Sequence, residues 1–315
     1  MKVAEVFSDY PSVPLLLKTY KHLTVEGVNL RLNDTFLQAQ LTHSNICQIV
    51  DLCLYASKNG ELKLSVVFER LEGDLEADVV RRAQSSNPYE QWEMWKLLEQ
   101  TATGLAHAKS QVSITKKIAH RDIKPANILT DGAQLKVFDF QSPEVRNADI
   151  TESLAGYQSP EVRSSLLGVR RSNDPFKADV YSLGLTFLQL ASLQLSPIRP
   201  QQVPAEVDAL HYSKGFKDLL LAMLREQPHH RPTLEVMLPI IKKEVQANHT
   251  VQPMSEAPLL PVSRSFVHIV EHQIKVFDFK TKAWAISPLT TPIQVDESSR
   301  CVWMEIGLFC SGGRE

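Results

Sequence analysis

The sequence predicts an α+β chain in two lobes, a small β-rich one followed by a larger α-helical one, with a short β-rich segment after them. Three observations predict it. Short apolar runs broken by turn residues fill the first part of the chain, the apolar period becomes helical from Gln91 onward, and strand patterns return near the C-terminus. The expected divisions are residues 1–75 and 76–246 for the two lobes, 247–263 for a polar, proline-containing linker, and 264–315 for the last segment.

Taken in order, Val3 to Phe7 and Val13 to Leu17 read as strands around the turn Ser8-Asp9-Tyr10-Pro11-Ser12. Residues 28–42 read as a helix, because Leu30, Asp34, Leu37 and Leu41 share one face at helical spacing. Ile46 to Ala56 and Leu62 to Phe68 read as strands around Lys58-Asn59-Gly60. Trp95, Leu97, Leu98 and Leu105 keep a helical period. Val180 to Leu195 is apolar on nearly every side, which predicts a helix buried inside the larger lobe.

Across 315 residues, 43% hydrophobic and 22% charged composition is that of a chain able to bury an ordinary core. Thirty-four Lys and Arg balance 36 Asp and Glu, for a net charge of -2, which argues against nucleic acid or an anionic membrane as the main partner. No signal peptide is read at the N-terminus, where Glu5 interrupts the apolar run, and Gln189 and Gln194 interrupt the longest apolar stretch. Cys47, Cys53, Cys301 and Cys310 form no CxxC, and they read as reduced thiols of a cytoplasmic protein.

The chemistry concentrates in His120-Arg121-Asp122-Ile123-Lys124-Pro125-Ala126-Asn127. Phosphoryl transfer needs a carboxylate to orient the acceptor hydroxyl, a cation near the moving phosphoryl group, and oxygen ligands for Mg2+. Asp122, Lys124 and Asn127 supply these three within six residues, and the acid of Val137-Phe138-Asp139-Phe140 follows 12 residues after Asn127. These residues resemble the catalytic loop and metal motif of the eukaryotic protein kinase superfamily. Ser159-Pro160-Glu161 is similar to the end of that family's activation segment. Lys177 to Gly184 looks like the start of its central helix, with Asp179 placed to accept backbone N–H groups of the catalytic loop. Arg231-Pro232 looks like its late arginine, the usual partner of Glu161.

The resemblance implies a bilobed protein-kinase-like fold and two readings of function. In one, the chain transfers the γ-phosphoryl of ATP, with Mg2+, to Ser/Thr hydroxyls of a protein substrate. Asp122 and Lys124 are then catalytic, Asn127 and Asp139 hold the metal and nucleotide, and His120 and Arg121 are structural. Lys18, in Leu15-Leu16-Leu17-Lys18, is similar to the family's phosphate-binding lysine, the alternative being an ordinary solvated lysine. Asp34, nine residues before His43, stands where the family has an ion-pairing glutamate. Phe68-Glu69-Arg70-Leu71 resembles the hinge, with Phe68 beside the adenine and the backbones of Glu69 and Leu71 on its hydrogen-bonding edge. In the other reading the chain is a pseudokinase scaffold.

Departures from the family pattern favour the second reading. No glycine precedes Gly27, so the glycine-rich loop is absent, and Met1 falls on that loop's last position, as expected of a start recorded too late. Gln141 replaces the glycine of the metal motif, and the segment around Gly156-Tyr157-Gln158 is short and lacks the usual threonine. His268-Ile269-Val270-Glu271-His272 spells a zinc motif, but that motif needs a helix and here abuts a strand pattern. Phe279 to Trp284 and Leu308 to Gly313 resemble one kelch blade, an incomplete unit that could bind a protein partner; a β-rich tail of no particular family is the alternative.

Overall fold

The computed structural model describes residues 2–6, 15–56, 62–111, 118–140, 156–166 and 174–247, with the strand segments 265–270, 273–278, 283–288, 300–303 and 308–311. Gln141, the turns at 8–12 and 58–60, and the linker from 248 to 263 lie outside the described residues. The chain divides into two units, Met1–Gln40 with Gln48–Arg70 and Leu259–Glu315, and Leu41–Cys47 with Leu71–Pro258. Residues 41–47 belong to the second unit, whose main stretch opens at Leu71.

In the first unit, strands β1 (Lys2–Val6), β2 (Leu15–Leu23), β3 (Ile49–Ala56) and β4 (Leu62–Glu69) form an antiparallel sheet in the order β1-β2-β4-β3. β2 extends well past the expected Leu17, and its register sets Leu16 opposite Phe68 and Lys18 opposite Val66. The cross-strand partners Thr19 and Ser65 join their buried hydroxyls at 2.9 Å. Helix α1 runs Val25–Ala39 and not 28–42, because the Thr24 hydroxyl accepts the Gly27 N–H at 3.1 Å and starts the helix early. Its buried face carries Val28, Leu32 and Thr35 with Asp34, whereas Leu30 and Leu37 are half-buried. Ile49, Leu52, Leu64, Val66 and Phe68 complete the core.

β8 (Ser265–Val270), β9 (Gln273–Asp278) and β10 (Ala283–Pro288) form an antiparallel meander, and β11 (Arg300–Trp303) pairs with β12 (Leu308–Ser311). His268 thus stands in a strand, which removes the helical context the zinc spelling requires. Cys47 is a free buried thiol. Cys53, expected as reduced, is disulfide-bonded, and its partner's side chain is outside the described residues.

The second unit is mainly helical, with α2 (Leu75–Gln84), α3 (Gln91–Ser110), α4 (Pro160–Leu166), α5 (Pro175–Ser192), α6 (Val203–Ala209), α7 (Lys214–Met223) and α8 (Leu234–Ala247). A small sheet of β5 (Gly73–Asp74), β6 (Ile128–Thr130) and β7 (Leu135–Val137) accompanies them. Glu90 and Glu93 form a capping box at the start of α3. α5 is buried along nearly its whole length, the expected central helix. It begins five residues before Val180, since Asp174 caps it and Pro175 fits its first turn, and it stops at Leu193, whose φ of 51° is left-handed. No helix among the described residues is long and apolar enough to cross a membrane.

Candidate active site

Residues 120–127 join α3 to β6, and α5 holds their shape. The Asp179 carboxylate accepts the His120 N–H at 2.7 Å and the Arg121 N–H at 2.8 Å. Two backbone donors that no ladder satisfies thus find a buried anion. Arg121 adopts φ 67°, a left-handed conformation unfavourable for a bulky residue, so the anchor holds a strained turn immediately before Asp122. His120 is buried, its Nδ1 accepts the Asp122 N–H at 3.2 Å, and its Nε2 sits 2.9 Å from the Phe138 carbonyl oxygen. With Nδ1 an acceptor, Nε2 carries the proton and donates it, so this imidazole ties the loop to the strand end bearing Asp139.

Asp122, Lys124 and Asn127 converge. Lys124 Nζ lies 3.0 Å from Asp122 Oδ2, and Asn127 Nδ2 donates to the Asp122 carbonyl and to Oδ2 at 2.8 Å each. Phe138 N donates to the Asn127 carbonyl at 2.9 Å, which fixes β6 against the end of β7. Burial raises the Asp122 carboxyl above its ordinary value and the charge of Asp139 adds to that, while Lys124 and Asn127 only partly offset it. A buried carboxylate with a raised proton affinity, beside a cation, can accept a proton from a substrate hydroxyl.

Asp139 has φ 71°, the second left-handed residue of this region. Since the Asn127 nitrogen is committed to Asp122, its carboxamide oxygen remains as its donor atom toward a cation. A carboxylate and a carboxamide oxygen are hard ligands that suit Mg2+, which normally completes its shell with phosphate and water. Among the described residues no group of three or more His, Cys, Asp or Glu is placed to hold a metal.

The structure also joins Glu161 to Arg231. Both guanidinium nitrogens reach the carboxylate at 2.8 Å, and the remaining N–H groups donate to the carbonyls of Lys177, Arg225 and Glu226. Burial would raise the Glu161 carboxyl, but the Arg231 pairing, its own backbone N–H and Ser159 together hold it below its ordinary value. Two contacts not legible in the sequence dock the preceding segment on α5. Ser182 Oγ donates to the Tyr157 carbonyl at 2.8 Å, and the Tyr157 hydroxyl pairs with the Gln189 side chain. Ser182 and Gln189 lie on the polar remnants of an otherwise apolar helix, which is the one signal that marked them.

In the first unit, Lys18 is 2% exposed and Asp34 8%, so Lys18 is not an ordinary solvated lysine. Its Nζ lies 5.0 Å from the centre of the Tyr20 ring. Phe68 is buried. The Glu69 N–H donates to the Gln48 carbonyl at 3.1 Å and its carboxylate accepts the Gln48 N–H at 2.7 Å, so Glu69 stabilises the sheet edge through both groups. Leu71, half-buried, is the first residue of this stretch assigned to the second unit.

A family model for the protein kinase domain matches residues 18–240. The chain is 25% identical over 235 residues to the serine/threonine-protein kinase Nek2 of Mus musculus, covering 70% of this chain and 51% of that protein. It is 26% identical over 239 residues to mitogen-activated protein kinase kinase kinase 8 of Rattus norvegicus, covering 69% and 47%. It is 28% identical over 188 residues to the G-type lectin S-receptor-like serine/threonine-protein kinase SRK of Arabidopsis thaliana, covering 56% and 20%. The chain thus spans about half, or less, of the length of these curated relatives.

Proposed function

The chain belongs to the protein kinase family, and from that premise we propose that it transfers the γ-phosphoryl group of ATP to serine or threonine hydroxyls of a protein. The observation that carries this reading is the cluster of Asp122, Lys124 and Asn127, with the Asp122 carboxylate 3.0 Å from the ammonium and 2.8 Å from the carboxamide. Asp122 orients the acceptor hydroxyl and takes its proton as the hydroxyl oxygen bonds to the γ-phosphorus. The bond from that phosphorus to the bridging oxygen breaks, and that oxygen leaves with ADP. Lys124 balances the charge spread over the transferring group. Asn127 and Asp139 would hold Mg2+, which when bound neutralises phosphate charge. Lys18 would meet the α- and β-phosphates, with Phe68 and the backbones of Glu69 and Leu71 against the adenine. The serine/threonine-kinase names of the relatives and Lys124, two residues past Asp122, support the hydroxyl class. The C-terminal strands, read from their sequence as an incomplete kelch-like unit, would serve a protein partner, although β8–β10 and β11–β12 form two separate sheets.

The test is transfer of radiolabelled γ-phosphate to a generic basic protein by the parent, Asp122→Asn and Asp139→Asn. Loss of a general base lowers the rate by about 10²–10⁴ and loss of a metal-holding carboxylate removes the neutralisation of phosphate charge, so both variants should lose nearly all label. Equal label in all three overturns the assignment. Gln141 in place of the metal-motif glycine favours the scaffold reading, which predicts no label but a thermal shift with Mg-ATP. That shift corresponds to about 2.7 kcal/mol at a hundredfold excess over Kd.

A further inference from the structure

His43 and His107 stand ring to ring in the second unit, with centroids 4.7 Å apart. His43, in the segment 41–47, accepts the Asn45 backbone N–H on Nδ1 at 3.0 Å. Only a ring without a proton on Nδ1 can do this. Asn45 in turn clamps β7 to α3. Its carbonyl accepts the Val137 N–H at 2.9 Å, and its side-chain nitrogen donates to the Leu135 carbonyl at 2.9 Å and to Gln100 of α3 at 3.2 Å. Cys47 N–H donates to the Val137 carbonyl at 2.9 Å, closing the same bridge. Two residues beyond Val137 is Asp139.

We propose that His43 is a proton-sensitive latch on the strand that leads to Asp139, closed by the neutral ring and opened by the imidazolium. Protonation puts a hydrogen on Nδ1, so the Asn45 N–H loses its acceptor and meets a donor. The new charge also faces His107 from α3 and Lys136 from β7, while the segment 41–47 itself contains no carboxylate to compensate. Burial, then His107, then Lys136 all hold the His43 imidazole below its ordinary value of 6.5. The sign follows from that. The closed latch is complete above the ordinary imidazole value and is lost as pH falls through the lower folded value. Acid therefore loosens the Asn45 clamp, and with it the backbone that positions the metal-binding aspartate. The inference concerns the fold of this unit and stands whether or not the chain transfers phosphate.

The experiment is amide hydrogen exchange on the full chain between about pH 5 and pH 7.5, each rate divided by its intrinsic rate. In the parent, protection of the Asn45, Cys47 and Val137 amides should fall about tenfold toward acid, the factor carried by loss of one such hydrogen bond. His43→Asn offers a non-titrating acceptor in place of Nδ1 and should remove the fall. His107→Gln removes one facing charge and should move the midpoint to higher pH. Protection independent of pH in the parent, or an unchanged fall in His43→Asn, overturns the latch. If His43→Asn does not fold, an unmoved midpoint in His107→Gln overturns it.

Discussion

Arg231 and Glu161, 70 residues apart, form a buried bidentate pair in which all five guanidinium N–H groups are used, two on the carboxylate and three on backbone carbonyls. The pair pins the start of α4 to the segment before α8. Its value lies in mutual compensation, since either partner alone would be an uncompensated buried charge.

Arg231→Ala should therefore destabilise the second unit by about 3–5 kcal/mol, and Arg231→Ala with Glu161→Gln should recover part of the loss. Arg231→Lys should rescue poorly, having three donors in place of a planar fork of five. Thermal melts of the three variants check this; an Arg231→Ala melt equal to the parent's contradicts it.

Gly104 lies in α3 where a methyl group would stand 2.6 Å from the Asn45 carbonyl oxygen. Helix propensity favours alanine by about 1 kcal/mol. Backbone cannot move aside as a flexible side chain can, so overpacking of about 1–3 kcal/mol should win. Gly104→Ala should lower the melting temperature and, in hydrogen exchange, expose the Val137 amide first.

Asp179→Asn leaves one oxygen to serve two donors, His120 N–H and Arg121 N–H. One of them then faces an amide nitrogen, at a cost of about 1–3 kcal/mol. Transfer activity should fall although no catalytic group has changed, because Asp122 follows Arg121 directly. A variant with parental melting and parental activity would remove Asp179 from this role.

Asp122→Asn should raise the melting temperature near neutral pH while abolishing transfer. Because the folded Asp122 carboxyl sits above its ordinary 3.8, the folded chain binds a proton more readily than the unfolded one. Stability therefore falls as pH rises through that window. The gap between variant and parent should narrow as pH falls toward 3.8. A gap that widens toward acid would contradict the sign.

Much of the site was legible because its parts are neighbours in the chain. Asp122, Lys124 and Asn127 lie within six residues, and the three-residue helical turn Pro125–Asn127 folds them together locally. The buried α5 was legible from its all-round apolarity, and the resemblance starts it at Lys177; the helix begins two residues earlier, at Pro175, because the cap Asp174-Pro175 lies outside the apolar run. α1 was displaced for the same reason, its cap at Thr24 preceding the periodic residues.

The sequence by itself determined the candidate set, with Asp122, Lys124, Asn127 and Asp139 proposed for the chemistry, and it placed Asp179, Glu161 and Arg231 through their resemblance to a known pattern. Only the tertiary structure decided how Asn45 locks β7 to α3, how Tyr157 docks on α5, and how His43 meets His107. These contacts end largely on backbone N–H and C=O groups, which every residue type carries alike. No choice of side chain announces which distant carbonyl will be reached; packing of the helices decides it.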